Sequence, residues 1–201
     1  MSLTKSERAA LAKQSRLELA RRSYADYFQM SQDYQMKLFP HTKLLCDALQ
    51  PIADGERRFL IVEMPPPQHG KSTTITETFP SYYLMKHPEK EVMVASYSDD
   101  LAQRFGSRNL AKFNEFGRDM YGLTSSPTKH TSNEWQIANH RGGAMHSTTI
   151  LGSATGKHSD LLIIDDPIKG MQDANSTTIR NKIWMSGRLV SIVVYQPLGQ
   201  L

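Results

Sequence analysis

Short, unbroken apolar runs alternate along the chain with longer polar stretches that carry apolar residues at helical spacing. The runs Phe59-Leu60-Ile61-Val62, Glu91-Val92-Met93-Val94-Ala95-Ser96-Tyr97 and Leu161-Leu162-Ile163-Ile164 read as buried strands. The stretch 4–29 reads as one helix. Thr4-Lys5-Ser6-Glu7 has the capping-box form, and neither Pro nor Gly occurs before Pro40. Tyr24, Tyr27 and Phe28 recur there at helical spacing and read as packing residues. Pro40-His41 opens a second helix, about 41–50, with Leu44, Leu45, Ala48 and Leu49 on one side. Pro51 and Asp54-Gly55 close it.

A strand at about 58–63 leads into a loop at 64–70 and a Thr-rich helix at about 71–86. That helix needs a sheet to pack on, and Pro80 kinks or shortens it. A strand follows at 91–97. Ser98-Asp99-Asp100 then caps a helix over about 99–115. Residues 117–133 are polar and turn-rich, which predicts a surface loop. Glu134–Ile137 and Met145–Leu151, joined through Asn139-His140-Arg141-Gly142-Gly143, predict a β-hairpin. After a small-residue loop at 152–158 comes the apolar strand that ends in Asp165-Asp166. A helix near 173–185 and a strand near 188–195 complete the pattern.

Composition narrows this α/β picture. The chain has 201 residues, 39% apolar and 22% charged, which fits one domain with an extra arm. Its net charge of +4 is that of residues 1–22 alone, where six basic residues face two acidic ones. Such an arm can dock on nucleic acid or an acidic protein face, or simply be a solvated helix face. Arg104 and Arg108, one turn apart, read as a solvated face with ion pairs or as phosphate contacts. Cys46 is the single cysteine, which excludes an intrachain disulfide and a multi-cysteine zinc site; its apolar neighbours make it a buried hydrophobe. No apolar run reaches the roughly 18 residues of a membrane span, and the polar N-terminus has no signal-peptide core. A reducing cytoplasm is the expected setting.

Chemistry concentrates at Met64-Pro65-Pro66-Pro67-Gln68-His69-Gly70-Lys71-Ser72-Thr73. Gly-Lys-Ser after a strand and before a helix is the phosphate-gripping end of a P-loop. Backbone N–H groups of such a turn converge on an anion. Lys71 would reach the β- and γ-phosphates of a bound nucleotide, and the Ser72 hydroxyl would sit on Mg²⁺. The first glycine of the pattern is replaced by Pro65, so prolines stiffen this loop. Asp165 and Asp166 end a buried strand, at the edge where open α/β sheets bind ligands. Asp165 is placed to hold the Mg²⁺ water shell, and Asp166 to orient the attacking water.

Taken together, these motifs resemble the ATPase domain of the large terminase subunit of tailed bacteriophages. The resemblance spans about 38–186. It rests on Pro40-His41, Gly55, Pro66-Pro67-Gln68-His69-Gly70-Lys71-Ser72, Ser96 through Phe105, Thr155-Gly156-Lys157, and Leu162 through Lys169. It implies a P-loop NTPase of the additional-strand class: a mainly parallel sheet between helices, with an N-terminal helical arm at 1–37 and the ATPase domain at 38–201. The extra strand is expected to be 91–97, lying between the strands that carry Lys71 and Asp165. The resemblance further implies ATP and Mg²⁺ as cofactors, with Pro66, Pro67, Gln68, His69, Gly70, Lys71, Ser72, Thr73 and His41 on the nucleotide. Ser72 and Asp165 are expected on the metal, and Lys71 and Asp166 in catalysis.

The implied activity is ATP hydrolysis that drives double-stranded DNA into a procapsid inside the bacterial host cell. Portal protein and small terminase subunit are the implied partners, in a homo-oligomeric ring. Gln68 stands where many members carry an arginine, so the positive charge is expected from Arg104, Arg108 or a neighbouring subunit. The residues at 187–201 lack the expected coupling motif. The chain thus resembles an ATPase half truncated before the nuclease domain and is not expected to cut DNA. Two alternatives stand beside this reading: a P-loop kinase, and an inactive prophage remnant that binds nucleotide without turnover.

Overall fold

The computed structural model describes residues 4–56, 59–64, 70–150 and 159–166, and the backbone of 191–195. The N-terminal stretch forms two helices, α1 (Lys5–Arg22) and α2 (Tyr24–Met30), rather than one. Ser23 divides them. Its backbone is extended, its N–H donates to Leu19 O, and its hydroxyl accepts from Asp26 N. A serine that can cap the following helix competes with continuation of the preceding one.

The cations of α1 are largely engaged with the protein itself. Lys13 pairs with Asp119 at 2.6 Å, and Arg21 Nε donates to Met120 O at 2.6 Å. Arg22 pairs with Glu18, and Arg16 lies over the Tyr34 ring. The packing reading of the aromatics holds, since Tyr24, Tyr27 and Phe28 are fully buried. Tyr27 stacks on Tyr82 and Tyr24 meets Phe79 edge-on, each at 5.0 Å between centroids.

Helix α3 (Pro40–Ala53) runs through Pro51 and ends at Asp54-Gly55, with Gly55 at φ 97°. Pro51 is tolerated near the C-terminal end, so it does not close the helix. The buried face is Leu45, Cys46, Leu49 and Ile52, whereas Leu44, expected on it, is 70% exposed. The Thr-rich segment also splits, into α4 (Lys71–Ile75) and α5 (Phe79–Lys86). Pro80 sits in the first turn of α5, where its missing N–H costs nothing.

Strands β1 (Leu60–Glu63), β2 (Glu91–Ser96), β3 (Ser125–His130), β4 (Glu134–Ile137), β5 (Ala144–Thr149), β6 (Leu161–Asp165) and β7 (Ser191–Tyr195) form one sheet. Its order is β1-β7-β6-β2-β5-β4-β3. β1, β7, β6, β2 and β5 run parallel, and the expected hairpin is the antiparallel pair β4–β5. The strand between β1 and β6 is β7, not the 91–97 strand, which lies on the far side of β6. Helix α6 (Asp99–Tyr121) outlasts its expected end by about a turn and a half and stops at Gly122, φ 71°. β3 falls inside the expected surface loop. As an edge strand exposed along most of its length and carrying Pro127, it lacks the apolar alternation that marks a strand.

The main core joins α2, α3, α5 and α6 to β2, β5 and β6, while Met93, Leu162 and Ile164 form a smaller cluster. Among the described residues no helix is long and apolar enough to cross a membrane. The expected loop at 152–158, the helix near 173–185, and Pro65 through His69 lie outside the described residues.

Candidate functional site

The carboxyl end of β6 and the start of α4 converge on one point. Gly70 caps α4 in the left-handed conformation, φ 74°, which favours glycine. Its carbonyl accepts both the backbone N–H and the hydroxyl of Thr74, each at 2.8 Å. Tyr24 of α2 donates its hydroxyl to Thr74 O, which ties this short helix to the aromatic core.

Lys71 follows Gly70 and is only 9% exposed. Its Nζ lies 3.2 Å from Asp166 Oδ1. Asp166 has a left-handed backbone at φ 44°, a conformation that aspartate tolerates better than most residues. It turns the chain sharply where β6 ends.

Asp165 is 1% exposed, and neither carboxylate oxygen has a hydrogen-bond partner among the described residues. Burial pushes its carboxyl up to about 6. The Thr76 hydroxyl draws it back, the Asp166 charge raises it again, and Ser72 and Lys71 lower it. The two hydroxyls therefore lie close to the carboxylate, yet neither completes a hydrogen bond to it. Thr76 Oγ1 is itself buried without a partner. A buried, unsatisfied carboxylate beside a serine hydroxyl supplies the hard oxygen donors that Mg²⁺ takes, so these residues fit that ion. Among the described residues no cluster of three or more His, Cys, Asp and Glu side chains forms a metal cage. Mg²⁺ held by one or two protein oxygens, phosphate and water needs none.

A second polar cluster sits just behind. Glu77 is 1% exposed. Arg104 reaches it with Nε at 2.8 Å and Nη2 at 2.5 Å, and Arg108 Nη1 lies 3.3 Å from its other oxygen. Asn109 donates to Thr76 O at 2.8 Å and accepts from Ser81 N at 3.0 Å. Helix α6 thus grips the 76–81 segment at several points. The ion-pair reading of Arg104 and Arg108 holds, though their partner is 27 residues from Arg104 rather than on their own helix.

Of the expected site residues, Lys71 and Asp166 meet directly, with Ser72 and Asp165 beside them. Gly70 caps the helix that carries Lys71 and Ser72, and Thr73 is half-buried on it. His41 stacks flat on Phe39 at 5.7 Å in the first turn of α3. Pro66, Pro67, Gln68 and His69 lie outside the described residues. Sequence reasoning passed over Thr76 and Glu77. A hydroxyl one helical turn beyond Ser72 is the one local signal that points to the first; nothing local marks the second.

Residues 63–201 match the model of the family described as terminase large subunit, T4-like-virus type, N-terminal. No curated protein matches the chain. Among solved structures, an arginine-to-alanine mutant of the large terminase ATPase domain of Thermus phage P74-26 is similar. It shares 13% identity over 83% of this chain and 72% of that one, with a TM-score of 0.47.

Proposed function

The chain belongs to the terminase large subunit family, T4-like-virus type, N-terminal, and from that membership we propose that it hydrolyses Mg²⁺-ATP to drive double-stranded DNA into a viral procapsid. The observation that carries the chemistry is the contact between Lys71 Nζ and Asp166 Oδ1 at 3.2 Å, beside the buried and unpartnered carboxylate of Asp165. Lysine after a left-handed glycine, facing two carboxylates at a strand end, matches the demands of phosphoryl transfer. That reaction asks a protein for positioning and charge neutralisation above all.

In this reading Lys71 exchanges Asp166 for the β- and γ-phosphates when nucleotide enters. Asp166, so released, accepts a hydrogen bond from the attacking water and orients it. Ser72 and Asp165 hold Mg²⁺, which when bound neutralises phosphate charge. Gly70, Thr73 and the loop Pro66, Pro67, Gln68 and His69 cradle the phosphates, with His41 toward the base. The β1-β7-β6-β2 order supports a P-loop fold of the additional-strand class, with β7 as that strand. Arg104 and Arg108 are committed to Glu77, which favours a neighbouring subunit in a ring as the source of the positive charge that Gln68 lacks. Portal protein and small terminase subunit are the partners of such a motor.

Turnover of Mg²⁺-ATP by wild type and Lys71→Ala tests the assignment. Loss of at least about two orders of magnitude in kcat is expected, and equal rates refute it. Stimulation by double-stranded DNA supports the motor. Stimulation by a small phosphate acceptor supports a kinase, and nucleotide binding without turnover in any condition refutes the enzyme.

A further inference from the structure

We infer that Thr76 is a positioning residue that holds the Asp165 carboxylate in the orientation its metal role needs. The inference rests on the proposed Mg²⁺-ATP reading and adds to it a residue outside the phosphate-loop motif.

Thr76 is 0% exposed, and its hydroxyl has no hydrogen-bond partner among the described residues. A buried hydroxyl left unpaired is costly, so its surroundings call for an explanation. Both oxygens of Asp165, equally buried, are also unpaired. The Thr76 hydroxyl is also among the groups that lower the Asp165 carboxyl, so a donor without an acceptor stands near an acceptor without a donor.

Ser72 and Thr76 are four residues apart along α4 and its C-terminal cap, and Thr76 N donates to Ser72 O at 2.8 Å. The helical turn therefore stacks the two hydroxyls on one face, Ser72 nearer the phosphate end and Thr76 deeper. Neither hydroxyl bonds the Asp165 carboxylate as the site stands, and once Ser72 serves the metal, Thr76 is the hydroxyl left to do so. Thr76, being deeper, can then donate to one carboxylate oxygen and leave the other facing outward.

Helix α6 fixes Thr76 in turn. Asn109 Nδ2 donates to Thr76 O at 2.8 Å, and the next residue, Glu77, is held by Arg104 and Arg108. The backbone of Thr76 is thus anchored while its own hydroxyl is left unpaired. Outer-shell donors of this kind orient a ligating carboxylate, and losing one typically weakens metal binding about 10- to 100-fold.

The test uses the full chain, with Mg²⁺ titrated against a constant excess of ADP and the thermal midpoint as readout, alongside Mg²⁺-ATP turnover. Thr76→Val keeps the shape and removes the donor; Thr76→Ser restores it. The Mg²⁺ concentration for half-maximal stabilisation is expected to rise about tenfold in Thr76→Val. It returns to near wild type in Thr76→Ser, and kcat at saturating Mg²⁺ changes little. A Thr76→Val midpoint concentration equal to wild type overturns the inference and leaves the ATPase reading standing. So does a Thr76→Ser that fails to recover, whether or not Thr76→Val folds. A wild type that shows no Mg²⁺-dependent stabilisation with ADP overturns both readings at once.

Discussion

Replacing Asp165 by Asn should make the ligand-free protein more stable at neutral pH while ending the proposed Mg²⁺-dependent chemistry. The folded protein buries this carboxylate without a hydrogen-bond partner, and burial pushes its pKa from 3.8 up to about 6. The raised value fixes the sign of the pH effect. Below pH 3.8 the group is protonated whether the chain is folded or not, and it imposes no charge penalty. As pH rises from there through about 6, the unfolded chain ionises first, and the folded state loses stability relative to it. Above that window the loss levels off. The gap between the two values corresponds to about 3 kcal/mol, at about 1.4 kcal/mol per pH unit.

An asparagine at this position has no such titration, and its amide can donate to the orphaned Thr76 hydroxyl. The difference in unfolding free energy, Asp165→Asn minus wild type, should therefore climb between about pH 4 and pH 6.5 and then flatten, reaching up to about 3 kcal/mol. Urea melts of both proteins across that range, without Mg²⁺ or nucleotide, measure it. Contributions from groups far from residue 165 are common to both chains and cancel in the difference. A pH-independent difference, or one that shrinks as pH rises, refutes the assignment of Asp165 as a buried, uncompensated charge.

Two further perturbations probe the frame around the site. Gly106 on α6 has no room for a side chain, because a Cβ there would stand 1.8 Å from Ser132 O and 3.0 Å from Ser147 Oγ. Gly106→Ala should destabilise by about 1–3 kcal/mol or more, and a melting temperature matching wild type would contradict the packing of α6 on the β3–β4 turn. Arg104→Ala and Arg108→Ala should together cost less, summed, than their combination in one chain. The double variant strands Glu77 as a buried, unpaired carboxylate, at about 3–5 kcal/mol; strictly additive urea-melt values would argue that the two arginines do not share it.

Much of the candidate site was readable because its residues lie in two contiguous words, one after a strand and one at a strand end. Gly70-Lys71-Ser72 and Asp165-Asp166 are each local patterns, and β1 and β6 place them at the same sheet edge. The order of strands was not readable in the same way. Run 91–97 and run 191–195 are both short and β-branched or apolar, and nothing local says which lies beside β1. The structure puts the latter there. Ser23 misled through its neighbours, since 4–29 has helix formers on both sides and only the hydroxyl signals a break. Leu44 misled because periodicity fixes which residues share a helix face but not how that face is turned, and α3 is rotated so that Leu45 and Cys46 meet the core. Glu77 could not be assigned because its partners come from another helix.

The contrast between the two buried carboxylates separates scaffold from site more sharply than any motif. Glu77 and Asp165 are each 1% exposed. Glu77 is met by two guanidiniums, and the neighbouring Asn109 has its amide satisfied on both sides. Such groups have what folding requires and nothing left over. The Asp165 carboxylate has no hydrogen-bond partner among the described residues, the Thr76 hydroxyl has none either, and Lys71 pairs with Asp166 instead. The other orphaned side-chain atoms among the described residues, Trp135 Nε1 and Ser147 Oγ, are neutral and belong to β4 and β5. A neutral donor left unpaired costs about 1–3 kcal/mol, whereas an unpaired buried charge costs more. Among the described residues, the fold satisfies Glu77 fully and leaves the Asp165 carboxylate without a hydrogen bond, at the point where the proposed chemistry needs a free carboxylate.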